Sequence, residues 1–291
     1  MNGDAAAQFW LVDLDTAEPA RTGPDPAADH PADACRGLAT EEERRRAAAF
    51  RSPLTARRFL HSRLAIRALL GRRLATGADG PRLARLPGGK PYLPEHPGVH
   101  VSWSRSDGLL LVGVDDRGPI GVDVESPRFL PTPEDVLETV CDTFPRPLSD
   151  AGFWPAWTML EAAVKATGVG LACGGKDVEL LPGDGEDVRL GRVGGHPPDR
   201  WHGRTLRWPA TDGRPAAVAA VVTDRLLPAR LSVVRFPASD LLPWPPGAPE
   251  PFVVPESFTV PEPFVVPGSP GAAGAWNGWS HDEEAVTCLT I

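Results

Sequence analysis

The chain has 291 residues, of which 42% are hydrophobic and 23% charged, with a formal net charge of −8. That is enough for one large domain or two small ones with a real core. The composition excludes a basic, aromatic-interleaved nucleic-acid surface, and the longest apolar run, Ala216 to Val222, is too short to span a bilayer.

The start, Met1-Asn2-Gly3-Asp4, lacks a basic n-region, so no signal peptide is expected. Cys35, Cys141, Cys173 and Cys288 show no metal-type spacing, which points to reduced thiols and a cytoplasmic protein. Seven acids and no Lys or Arg follow Arg235, so the body is near neutral and the tail acidic. Only three of the 30 basic residues are lysines: Lys90, Lys165 and Lys176. Where arginine is otherwise the default, a retained lysine suggests a need for a compact, rotatable ammonium.

Phe9 to Leu14 reads as a first strand, and residues 16–36, rich in Pro, Ala and Asp, as a loop. Thr40-Glu41-Glu42-Glu43 is a capping box opening a helix to about Phe50. Ser52-Pro53 starts a second helix with Leu60, Leu64, Ala68 and Leu69 at helical spacing and a stop at Gly71. Its arginines (Arg57, Arg58, Arg63, Arg67, Arg72, Arg73) form either a solvated face or a rim attracting phosphate. Gly88 to Pro94 is a turn-rich loop in which Lys90 could reach an anion, or a plain connection.

Val99 to Trp103 alternates as a strand broken by Ser104-Arg105-Ser106-Asp107, and Leu109 to Val114 is the next strand. The break is either a polar turn or a phosphate-binding element with two hydroxyls and a guanidinium. Ile120 to Glu125 reads as a strand with Asp123 and Glu125 on one face. Thr132-Pro133-Glu134-Asp135 opens a helix to about Cys141. A further helix, with Pro155 in its first turn and Gly168 as its stop, lines up Trp157, Glu161 and Lys165.

Strands follow around Val178–Leu181, Thr205–Trp208, Ala216–Thr223 and Leu231–Phe236, with a loose Gly-rich excursion at 183–195. From Pro237 the chain is Pro-rich, with a six-residue repeat at Pro251-Phe252-Val253-Val254-Pro255-Glu256 and onward. Proline at that spacing favours extended polyproline-like backbone. The tail reads as a disordered appendage, a partner-docking segment or a strip folding back on the body.

Asp123, Glu125 and Glu161 form a donor set for Mg²⁺, a hard cation that takes carboxylate oxygens, waters and substrate phosphates. Lys165, one turn past Glu161, would lie beside such phosphates and neutralise a leaving group. With Gly89-Lys90-Pro91-Tyr92, Ser102-Trp103-Ser104-Arg105-Ser106, Gly121-Val122-Asp123-Val124-Glu125, and Trp157-x-x-x-Glu161-Ala162-x-x-Lys165 closed by Gly168-x-Gly170-Leu171, the chain resembles the Sfp-type 4′-phosphopantetheinyl transferases over about residues 8–236.

The resemblance implies an α+β fold of two similar halves in pseudo-twofold arrangement, residues 1–115 and 116–236, with coenzyme A between them and residues 237–291 as a tail. It implies transfer of 4′-phosphopantetheine from coenzyme A to a serine of an apo acyl or peptidyl carrier protein. Adenosine 3′,5′-bisphosphate is released, in the setting of polyketide and nonribosomal-peptide biosynthesis. Asp123, Glu125 and Glu161 would hold Mg²⁺, with Glu161 and Lys165 catalytic. Lys90, Pro91, Ser104, Arg105, Arg58 and Lys165 would bind coenzyme A. A monomer is expected, with no nucleic-acid or membrane partner. Leu160 stands where the family has the lysine of K-E-A, and Arg105 where it has histidine. The missing lysine raises the alternative of a catalytically weak member that binds coenzyme A or carrier protein.

Overall fold

A computed structural model describes residues 7–15, 39–76, 80–211, 215–228, 231 and 233–237. The expected loop at 16–36 and the Pro-rich stretch beyond Pro237 lie outside the described residues. The fold is mixed α+β, as the sequence suggests.

The elements run β1 (Gln8–Asp13), α1 (Glu41–Ala49), α2 (Pro53–Leu74), β2 (Ala84–Arg85), β3 (Pro91–Tyr92), β4 (His100–Ser106), β5 (Leu109–Asp115) and β6 (Ile120–Glu125). Then come α3 (Pro133–Glu138), α4 (Asp150–Thr167), α5 (Leu171–Gly174), β7 (Val178–Pro182), β8 (Val188–Val193), β9 (His202–Trp208), β10 (Ala217–Thr223) and β11 (Val233–Pro237). One sheet has the order β11-β1-β5-β4 and a second β6-β10-β9; β2-β3 and β7-β8 are separate hairpins.

Three apolar layers stack these parts. Ala65, Ile66, Leu69 and Leu70 of α2 pack on Trp10, Val12, Leu110, Val112 and Val114 of the first sheet. The opposite face of that sheet, Phe9, Leu11, Leu109 and Leu111, meets Ile120, Val122, Val124, Ala219 and Val221 of the second. Beyond the second sheet, Val218, Ala220 and Val222 pack on Ala156, Met159, Leu160 and Ala163 of α4. The order of layers is therefore helix, sheet, sheet, helix. Alternation along each strand feeds two cores at once, which is why β5 and β10 are buried along their whole length.

Several boundaries differ from the sequence reading for identifiable reasons. Helix α2 runs through buried Gly71 to Leu74, ending on Ala75 in the left-handed region (φ 53°). Strand β4 continues through Ser106, because the turn is the two-residue Asp107-Gly108 link, with Asp107 at φ 49°. Helix α4 begins at Asp150, capped by Ser149 accepting from Gly152 N–H at 3.0 Å, so Pro155 lies inside it. Thr132 makes no side-chain cap bond to α3. The excursion at 183–195 contains β8, whose Val188 and Val193 join the α4 core. Strand β11 pairs in parallel with β1, so the chain's last described strand completes the sheet its first strand began. No helix among the described residues is long and apolar enough to cross a membrane.

Candidate active site

The site lies where α4 crosses β6. Gly121 makes the approach possible: a Cβ there would stand 1.9 Å from Ala162 O and 2.4 Å from Ala166 N, both backbone atoms of α4. With no side chain in the way, α4 drops onto β6. Glu161 and Lys165 come to the same place as Asp123, two residues along the same strand face.

Asp123 is 3% exposed. Its Oδ1 accepts from Lys165 Nζ at 2.6 Å and from Ser104 Oγ at 2.6 Å. Lys165 Nζ also donates to Ser104 Oγ at 3.0 Å, closing a three-member ring of contacts between α4, β6 and β4. Asp123 Oδ2 is buried and accepts no hydrogen bond. Glu125 accepts from Ser106 Oγ, with Arg128 at 3.6 Å. Ser102, two residues before Ser104, accepts from Val122 N–H at 3.1 Å. The alternation Ser102-x-Ser104-x-Ser106 thus aims three hydroxyls at β6. The sequence signal for Ser102 and Ser106 was this period of two, hidden when β4 is ended at Trp103.

The electrostatics follow from crowding carboxylates at the seam between β6 and α4, where Asp123 is buried and Glu125, Glu161 and Lys165 are partly buried. Burial raises Asp123 above the usual carboxylate range against the pull of Lys165. Burial, with Asp123 adding repulsion, pushes Glu125 up to about 8. Burial raises Glu161 to about 7, Lys165 opposing and Asp123 adding to the rise. For Lys165, burial acts downward but the surrounding carboxylates outweigh it, and the ammonium is held above its ordinary value. Glu161 is thus a carboxyl raised mainly by burial, one helical turn before a lysine that its carboxylate neighbours hold in the charged form.

The expected three-carboxylate metal cluster is not ready-made: among the described residues no three His, Cys, Asp or Glu side chains are gathered to hold an ion. The physical reason is visible in the partners. Asp123 Oδ1 is turned to Lys165 and Ser104, and Glu125 to Ser106. The chemistry of the set still fits a hard cation. Asp123 Oδ2 is a buried, unsatisfied oxygen, and a divalent ion would offset both the burial that chiefly raises Glu125 and Glu161 and the repulsion from Asp123 that adds to it.

The other expected residues divide. Ser104 and Lys165 are at the site. Arg105 points to the opposite face of β4, the face of Trp103. Lys90 donates to Ile120 O (3.2 Å), Lys165 O (2.8 Å) and Ala166 O (2.5 Å), and burial lowers it to about 8 despite Asp224. Arg58 grips Asp15 with two nitrogens, its Nε at 2.9 Å from Oδ1. Pro91 lines a cavity of about 440 Å³ together with Arg46, Arg63, Arg67, Arg82, Arg85 and Trp103. Within it Arg67 (2.5 Å) and Arg63 (3.3 Å) bind Glu43, the capping-box residue of α1. Two arginines of the sequence-predicted α2 rim are therefore structural, while Arg82 and Arg85 were not singled out by the sequence. Leu160 is fully buried in the α4 core, so the departure at 160 is absorbed by packing.

A 4′-phosphopantetheinyl transferase of Bacillus subtilis is 31% identical over 153 residues, covering 46% of this chain and 62% of the relative. The corresponding transferase of Bacillus pumilus is 31% identical over 144 residues, 46% of this chain and 59% of the relative. The chain is similar to the Sfp-type 4′-phosphopantetheinyl transferases. A Synechocystis protein carrying the same family name matches at 31% over 151 residues, 47% of this chain and 60% of its own. The chain spans about three-fifths of the length of these transferases. No family model matches the chain.

Proposed function

We propose that the protein is a Mg²⁺-dependent 4′-phosphopantetheinyl transferase acting between coenzyme A and a serine of an apo carrier protein. The observation that carries this reading is the contact ring of Lys165, Asp123 and Ser104, with Glu161 one turn before Lys165 on the same helix face. A carboxylate that can accept a proton, next to an ammonium, suits attack of a hydroxyl on a phosphate.

In the proposed reaction the serine oxygen bonds to the phosphorus that carries pantetheine. The bond from that phosphorus to the oxygen bridging the two phosphates breaks, and adenosine 3′,5′-bisphosphate leaves. The serine proton goes to Glu161, directly or through a water. Lys165 stands beside the diphosphate and offsets the charge that builds on the leaving group. Ser104 adds a hydroxyl donor. Asp123, Glu125 and Glu161 would hold Mg²⁺, which supplies further neutralisation of the diphosphate when bound. The arginine-lined cavity with Pro91, and Arg105 on its strand face, offer cationic surface for the remaining phosphate of the donor. In this reading residues 1–115 and 116–236 are the two halves that enclose coenzyme A, with β11 returning to the first half. The reaction asks only for a serine hydroxyl, which carriers of the fatty-acid, polyketide and nonribosomal-peptide types all present.

Intact-mass measurement of apo carrier proteins incubated with the protein, coenzyme A and Mg²⁺ tests the proposal. A mass gain of one phosphopantetheine supports it. Tight coenzyme A binding with no gain on any carrier leaves instead a binding protein of the same fold.

A further inference from the structure

We infer that Lys90 is a positioning residue: its ammonium ties the last turn of α4 to β6 and thereby sets where Glu161 and Lys165 stand relative to Asp123. An ammonium has three N–H donors and no acceptor. Three backbone carbonyls take them: Ile120 O on β6 and Lys165 O and Ala166 O on α4. The two helical carbonyls belong to the end of α4, whose dipole favours a cation. The planar fork of an arginine does not splay onto three converging carbonyls, which gives a reason for a lysine in a chain that otherwise uses arginine.

The contacts form a closed circuit. Lys90 holds the carbonyl of Lys165; the side chain of Lys165 holds Asp123; Asp123 lies three residues from Ile120 on β6; and Ile120 O returns to Lys90. The hairpin carrying Lys90 is seated against the same helix end. A Cβ at Gly88 would stand 2.1 Å from Gly168 O, the residue that closes α4. With its donors spent on carbonyls, Lys90 acts through α4 and not on a ligand phosphate. The kinetic part of this inference rests on the transferase reading; the structural part does not.

The full chain carrying Lys90→Met keeps the aliphatic stem and removes the donors. Three quantities are measured: the Kd for coenzyme A by calorimetry, kcat for transfer to an apo carrier, and amide exchange of residues 166–168. Displacing catalytic groups by about 1 Å costs about 10²-fold. The expected result is a kcat loss of about 10- to 100-fold, a Kd within about threefold of wild type, and last-turn exchange at least tenfold faster. A Kd raised about tenfold or more with unchanged exchange overturns the inference and makes Lys90 a phosphate ligand; an unchanged kcat overturns it as well. Should Lys90→Met fail to fold, Lys90→Gln, which keeps two N–H donors, is judged by the same three readouts. A wild-type protein that modifies no carrier sinks the transferase reading alone, and the exchange arm still decides the role of Lys90.

Discussion

Replacing Gly121 by alanine tests the claim that the site exists because α4 lies directly on β6. The added methyl would stand 1.9 Å from Ala162 O, where the closest comfortable carbon–oxygen contact is about 3.3 Å. The shortfall is about 1.4 Å, and the opposing atoms are helix backbone, so no side chain can swing aside. The helix must retreat by about an ångström or the strand must bend. Overpacking of this kind costs about 1–3 kcal/mol, and the depth of the clash puts Gly121→Ala at the upper end. At about 2–4 °C per kcal/mol for a chain of this size, Tm falls by about 6–12 °C. Glu161 and Lys165 ride on the same helix, so transfer falls by about 10²-fold even where the variant remains folded. Thermal unfolding and transfer to an apo carrier measure the two effects separately. A variant with wild-type Tm and wild-type transfer would refute the contact.

The metal-free protein should lose stability as pH rises. Glu125 at about 8 and Glu161 at about 7 bind protons more tightly in the folded state than in the unfolded state, where 4.5 applies. Their contribution is therefore complete below about pH 4.5 and is lost through pH 7–8, so the urea midpoint declines across that window. Glu125→Gln should flatten the decline, and an equally steep decline in that variant would contradict the assignment. A chain ending at Pro237 should fold and transfer like the full chain, whereas one ending before Val233 loses a strand paired with β1 and should unfold at markedly lower temperature. Equal melting of the two truncations would remove the structural role given to β11.

What the sequence made legible was local. The capping box at Thr40 is formed as read, with both of its reciprocal bonds, and the alternation of Ile120 to Glu125 puts Asp123 and Glu125 on the α4 side. Helical spacing correctly set Glu161 and Lys165 on one face. What it hid depended on partners distant in the chain. Nothing near Lys90 announces that its ammonium will meet Lys165 O and Ala166 O some 75 residues later. Nothing near Arg58 announces that its guanidinium will grip Asp15, 43 residues earlier. Leu160 reads as a lost charge until its place in the core is known. Val188 and Val193 were obscured by surrounding glycines, although their burial against α4 is what makes β8 a strand. Period and capping travel with the sequence; ion-pair choice and strand pairing are settled by the whole fold.

The central claim is that Glu161 takes the proton from the attacking hydroxyl. Lys165 is a poor probe of it, because breaking its pair with buried Asp123 costs about 3–5 kcal/mol and confounds chemistry with folding. Glu161→Gln keeps the shape of the side chain and removes the base. Single-turnover transfer from coenzyme A to an apo carrier, measured by intact mass, should fall by about 10²–10⁴-fold while Tm holds. Transfer at the wild-type rate by Glu161→Gln would contradict the account.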